Sequence, residues 1–157
     1  MKIKLLVIGK TDDHNLNALI DLYVKRLKHY IAFEIQIIPD IRAAKNFTTD
    51  QQKEREGELI LNALENPDIL ILLDEQGEPY SSVDFSQYLQ KKMNSGIKQM
   101  VLAVGGPYGF SKAVYERAQG KISLSKMTFS HQMVRLFMVE QLYRAFTILN
   151  NEPYHHE

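Results

Sequence analysis

The chain has no cysteine, which excludes disulfides, thiolate metal sites and cysteine nucleophiles. It has no excess of either charge: 19 lysines and arginines stand against 19 aspartates and glutamates, with five histidines besides. That neutral balance argues against non-specific polyanion binding, so a nucleic-acid partner would have to be recognised locally or by shape. No apolar run approaches the roughly 20 residues of a membrane span, and the apolar stretch in MKIKLLVIGK is much shorter than that of a signal peptide. The expectation is a soluble, cytoplasmic protein without membrane contact. Two nucleotide fingerprints are also missing. The glycines after Val104 read G-G-x-x-G, which fails the dinucleotide pattern G-x-G-x-x-G, and no G-x-x-x-x-G-K-[ST] occurs to cradle a triphosphate.

What is present is an alternation of short apolar runs and amphipathic segments. Ile3 to Ile8 reads as a strand covered on both faces and closed by Gly9, and Leu16 to Leu27 as an amphipathic helix. Phe33 to Ile38 is a second strand stopped by Pro39. Thr48 or Thr49 caps a helix carrying Leu59, Ile60, Ala63 and Leu64 that ends near Asn66-Pro67. A third strand, Ile69 to Leu73, precedes a loop over Asp74 to Tyr80. Ser81 and Asp84 then form a capping-box signature for a helix that stops at Asn94-Ser95-Gly96. Met100 to Val104 is a fourth strand, and Ser111 opens a short helix leading to a fifth. His131 to Asn150 is the last helix. This alternation predicts one domain over residues 1–157, with a parallel sheet and helices on both sides.

Ligands of open α/β sheets bind outside the carboxyl ends of the strands, which directs attention to the loops there. Gly105 and Gly106 either let backbone approach a ligand or simply make a tight connection. The loop Leu124 to Phe129, apolar with small hydroxyl residues, suits a flat aromatic ring held by backbone groups better than it suits phosphates. Asp74, at a strand end, is either a ligand for hydroxyls or, more simply, a solvated turn carboxylate. The scattered cations Arg42, Lys45, Lys53 and Arg55 read as a solvated face.

Apolar residues run most of the way round the last helix, so it is either deeply buried or packs on a second subunit as well, and a dimer contact is the favoured reading. Arg135, among apolar neighbours, requires a carboxylate, a carbonyl or a ligand. The end, Tyr154-His155-His156, offers a ring for stacking on a nucleobase and imidazoles for handling its proton. Without a third ligand nearby in sequence, no metal site is expected there.

Six segments together carry a resemblance: Leu72-Leu73-Asp74, Gly105-Gly106-Pro107-Tyr108-Gly109, Leu124 to Phe129, His131-Gln132-Met133-Val134-Arg135, Glu140 to Ala145, and Tyr154-His155. In order and spacing, over the whole chain, they resemble the RlmH family of SPOUT-class 23S rRNA pseudouridine N3-methyltransferases. The resemblance implies a three-layer α/β sandwich with a C-terminal trefoil knot, in a cytoplasmic homodimer. It also implies S-adenosyl-L-methionine as cofactor and, as substrate, a pseudouridine N3 in 23S rRNA of the assembled ribosome. Carried onto this chain, cofactor binding falls on Leu73, Gly105, Gly106, Leu124, Ser125, Lys126, Met127, Thr128 and Phe129. Substrate contacts fall on His131, Arg135, Tyr154 and His155, with Tyr154 and His155 also the catalytic pair. Two positions depart from the family pattern. His156 stands where a basic residue is common, and Ser130 where proline is frequent, which implies a less rigid start to the last helix. The rival readings are a non-catalytic ribosome-associated module and a nucleotide-dependent oxidoreductase.

Overall fold

The computed structural model describes residues 1–41 and 44–157; Arg42, one of the scattered cations, lies outside the described residues. Strands β1 (Lys2–Ile8), β2 (Ala32–Ile38), β3 (Ile69–Pro79), β4 (Gln99–Val104) and β5 (Gly120–Ser123) alternate with helices α1 (His14–Leu27), α2 (Thr49–Asn62), α3 (Ser82–Asn94), α4 (Lys112–Arg117) and α5 (His131–Leu149). The strands form one sheet in the order β2-β1-β4-β3-β5, and every pairing is parallel. All carboxyl ends therefore lie on one edge.

Successive side chains of a strand point to opposite faces, and the continuous apolar runs fill both faces. Ile3, Leu5 and Val7 of β1 join Met100, Leu102 and Val104 of β4 in a core closed by Leu27 of α1, Phe85 and Leu89 of α3, and Met138, Leu142 and Phe146 of α5. Leu6, Ile8, Val101 and Ala103, the intervening residues, meet Ile60 of α2 and Val114 of α4 on the other face. Three layers result because neither face of the sheet can be left wet.

The helix starts are set by side-chain caps. Asp13 accepts from Leu16 N, and Thr48 forms a reciprocal capping box with Gln51. Ser81 and Ser111 accept from Asp84 N and Val114 N. Ser130 does the same for α5, its hydroxyl accepting from Met133 N at 3.2 Å. The expected loss of rigidity at that position is thus answered by an N-cap, which contributes about 1 kcal/mol.

Two expected boundaries move. α2 stops at Asn62 rather than near Asn66-Pro67. The stretch expected to be a loop from Asp74 is instead mostly strand: β3 runs on to Pro79, pairing with β5 in two registers. Leu73 and Glu78 both face Ile122, so Asp74 to Gly77 bulge outward. Gly77 closes the bulge, since a Cβ there would stand 2.6 Å from the Ile122 backbone. The bulge pushes two carboxylates over the carboxyl edge of the sheet.

Among the described residues no helix is long and apolar enough to cross a membrane. The cations read as a solvated face include Arg55, exposed and paired with Glu58 at 2.7 Å, and Lys53, paired with Asp50 at 3.7 Å.

Candidate active site

A crevice of about 590 Å³ opens at the carboxyl edge of β3, β4 and β5. That size is ordinary for a small-molecule site, roughly 300–1,000 Å³. Its walls are the β3 bulge, the glycine turn after β4 and the loop between β5 and α5. Of the expected cofactor residues, Leu73, Gly105, Gly106, Leu124, Ser125, Met127, Thr128 and Phe129 line it. Lys126 does not: the side chain is exposed and off the wall, because Ser125 Oγ accepts from Met127 N and folds the loop tightly at this point.

Gly106 is glycine because of what stands behind it. A Cβ there would lie 2.3 Å from Oε2 of Glu56, a residue only 4% exposed that α2 presses under the turn. Glu56 Oε1 accepts from Gln52 Nε2 at 3.0 Å, whereas Oε2 has no partner among the described residues. Burial raises the pKa of this carboxyl above the usual range, against the lowering contact with Gln52.

Among the described residues the walls carry Asp74 and Glu75 but no lysine or arginine. Tyr115 of α4 donates to Asp74 Oδ2 at 2.5 Å, and Thr128 donates to Glu75 Oε2 at 2.7 Å, so both carboxylates are tied across the crevice. Burial first, then the bond to Asp74, pushes the Tyr115 phenol up to about 12. Asp74 is therefore a wall group, not the solvated turn carboxylate that its sequence context favoured. Glu75, Tyr115 and Glu56 were not singled out from sequence. For Glu56 and Tyr115 the nearest signal was Gly57, a glycine inside a helix, which admits Ser111 of the α4 cap against α2: a Cβ there would stand 2.3 Å from Ser111 Oγ.

His131, the first residue of α5, lines the crevice. Arg135, one turn on, does not reach it and is 1% exposed. Its guanidinium donates to the carbonyl oxygens of Ile8 (2.7 Å) and Gly9 (2.9 Å) and to Thr11 Oγ1 (3.0 Å). The expected contact with substrate or tail is thus corrected, because these acceptors at the end of β1 occupy the guanidinium in the interior. Gln132 adds to the same clamp by donating to Lys10 O at 3.0 Å.

The tail lies elsewhere in the same chain. Tyr154 packs edge-on against Tyr143 with centroids 4.7 Å apart, under Arg144 at 4.8 Å, and donates to Glu140 Oε1 at 2.9 Å. Glu140 is nine residues along α5 from His131, roughly 13 Å at 1.5 Å per residue. Burial first, then bonds with Tyr23 and Glu140, raises the Tyr154 pKa, so its hydroxyl stays protonated. His155 Nδ1 stands 3.3 Å from Arg144 Nη1. A guanidinium can only donate, so this nitrogen accepts and the neutral ring carries its proton on Nε2. Among the described residues, no group of three or more histidines and carboxylates is placed to hold a metal ion.

A family model described as "Predicted SPOUT methyltransferase" matches residues 1–155. The chain belongs to the SPOUT methyltransferase family. It is similar, at 65% identity over 157 residues covering all of both chains, to the ribosomal RNA large subunit methyltransferase H of Flavobacterium johnsoniae. The protein of the same name from Christiangramia forsetii is 63% identical over 156 residues, 99% of each chain. The solved structure of a probable methylase family protein from Haemophilus influenzae Rd KW20 is similar in fold, at a TM-score of 0.50 and 12% identity, over 95% of this chain and 66% of that one. The crevice is thus on a methyltransferase scaffold, and its wall chemistry fits that class. The two carboxylates on its walls suit a positively charged sulfonium nucleoside better than a polyphosphate.

Proposed function

We propose that this chain is an S-adenosyl-L-methionine-dependent methyltransferase acting on N3 of a pseudouridine in 23S rRNA of the assembled ribosome. The observation that carries the reading is the crevice walled by Asp74 and Glu75, in a chain 65% identical over its full length to a protein named ribosomal RNA large subunit methyltransferase H. In this proposal residues 1–157 form a single SPOUT domain, the C-terminal part is threaded as a trefoil knot, and the protein works in the cytoplasm as a homodimer.

The cofactor, when bound, supplies a methyl group on a positively charged sulfur. Leu73, Gly105 and Gly106 form the floor of its pocket, and the backbone of Leu124 to Phe129 holds the flat ring. Asp74 and Glu75 set a negative potential that favours the cationic form. Positioning contributes most: well-oriented reactants gain on the order of 7–11 kcal/mol, whereas general-base help is typically about 10²–10⁴-fold.

His131 shapes the mouth. Tyr154 and His155 are placed at the reacting base by the partner, because within one chain they pack on Glu140 and Arg144, roughly 13 and 20 Å along α5 from His131. Tyr154 orients the pseudouridine by stacking; its one hydroxyl proton is held by Glu140 Oε1, which leaves the phenol oxygen to accept from the base. His155, with Arg144 on Nδ1, presents an Nε2–H donor to a carbonyl or phosphate oxygen; taking up the N3 proton would require it to leave Arg144. Apolar side chains of α5 that remain exposed, Met133 and Phe137 at 37% each, supply part of the contact between protomers.

Labelled-methyl transfer to ribosomes from cells lacking this protein, followed by nucleoside analysis, tests the reading. The expected product is N3-methylated pseudouridine in the large-subunit RNA. Label that never appears in that RNA defeats the proposal. Near-normal single-turnover methylation by His155→Ala from pH 6 to 9 is expected to remove His155 as a base while leaving the rest intact.

A further inference from the structure

The end of α1 concentrates positive charge that the chain as a whole lacks. Lys25 and Arg26 occupy its last turn and Lys28 its C-cap, all exposed, in a protein whose formal net charge is zero. Among the described residues none of the three has a carboxylate within 4.0 Å, although six other lysines and arginines do. Cations at a helix C-terminus gain from the helix dipole, but only about 0.3–1 kcal/mol at an exposed site. That gain does not explain how Arg26 is held. Its guanidinium lies 5.4 Å from the Tyr23 ring and 5.8 Å from the Tyr143 ring, and Tyr143 in turn packs against Tyr154 of the tail. Tyr30 closes the same cluster by donating to Glu152 at 2.6 Å. Arg26 is therefore joined to the tail through rings, with Lys25 and Lys28 beside it at the end of the same helix.

We propose that Lys25, Arg26 and Lys28 form a phosphate-contacting surface for the substrate RNA, carried beside the tail to the crevice of the partner. The inference rests on the homodimer reading above: whichever crevice Tyr154 serves, Arg26 accompanies it through the rings, and Lys25 and Lys28 come with it on the same end of α1. Charge complementarity selects the partner. Unpaired, exposed cations on a rigid edge match a nucleic-acid backbone, and neutralising phosphates releases counterions. It also explains how a neutral protein binds a polyanion, with the charge local rather than global.

The test uses the full-length protein with Lys25→Gln and Lys28→Gln together, neither residue packed in the core. The measurements are the KM for ribosomes across a salt series, kcat, and cofactor affinity by calorimetry. A rise in KM of roughly tenfold and a log–log salt slope shallower by roughly 1.5–2 are expected, with kcat and cofactor affinity held. Arg26→Lys, which keeps the charge and loses the planar stack, is expected to keep the slope. An unchanged KM and slope in the double variant overturn the surface while leaving the methyltransferase reading standing. A raised KM with an unchanged slope overturns it too, since the contact is then with ribosomal protein rather than phosphate. Failure of the wild type to transfer any methyl group overturns both.

Discussion

Arg135 of α5 donates from Nη2 to the carbonyl oxygen of Ile8, the last residue of β1, at 2.7 Å across 127 positions of sequence. The same guanidinium serves Gly9 and Thr11, so one side chain ties the first strand to the start of the last helix. Replacing it with methionine would leave two strand-end carbonyls buried without a donor. The expected cost is about 3 kcal/mol, read as a lower urea midpoint with unchanged slope at fixed protomer concentration. A loss under about 0.5 kcal/mol, the range of ordinary surface changes, would mean that the clamp contributes nothing.

Gly106 and Glu56 are a steric pair. Gly106→Ala drives a methyl group to 2.3 Å from the buried carboxylate, so either the turn or the helix must shift. A destabilisation of about 1–3 kcal/mol is expected, with weaker cofactor binding. Combining it with Glu56→Ala should recover part of that loss, and strict additivity in the double-mutant cycle would refute the steric account.

Glu56 also predicts a pH dependence. Its folded pKa is raised from the ordinary value of 4.5, so its contribution is fully present below that value and is lost as pH rises through the folded pKa. Stability of Glu56→Gln relative to wild type should therefore improve as pH rises above 4.5 and level off once the folded pKa has been passed. Denaturant curves at each pH provide the comparison, and a difference that stays flat or falls would show that the carboxyl is not penalised by burial.

Tyr154→Phe keeps the ring against Tyr143 and removes the bond to Glu140. About 1 kcal/mol of tail docking should be lost, seen as faster hydrogen exchange of the backbone amides from 154 to 156. Because the wild-type phenol is raised above its usual range, methyl transfer should show no inflection from Tyr154 below pH 10. A rate step near neutrality that disappears in the phenylalanine variant would contradict this.

Much of the fold was legible because it is written in local patterns. The runs Ile3 to Ile8 and Met100 to Val104 fit buried strands and fold as such, and the caps at Thr48, Ser81 and Ser111 sit where their hydroxyls meet a free N–H. Misreading the stretch from Asp74 as a plain loop was also local in origin. Gly77 and Pro79 look like turn residues, and only the pairing with Ile122 reveals a bulged strand. Lys126 was expected at the crevice by its place in the run, yet orientation within a six-residue loop depends on the hydrogen bond from Met127 N to Ser125 Oγ.

Sequence alone determined the alternation, the parallel sheet, the glycine turn and the apolar loop, since each depends on side chains close together in the chain. Tertiary structure decided which groups face the crevice and which are occupied elsewhere. The Asp74–Tyr115 and Glu75–Thr128 contacts join residues 41 and 53 positions apart, and Arg135 finds its acceptors 127 away. No local periodicity encodes such distances. The buried cost of an unpaired polar group, together with the geometry of the sheet, selects the partner only once the chain has folded.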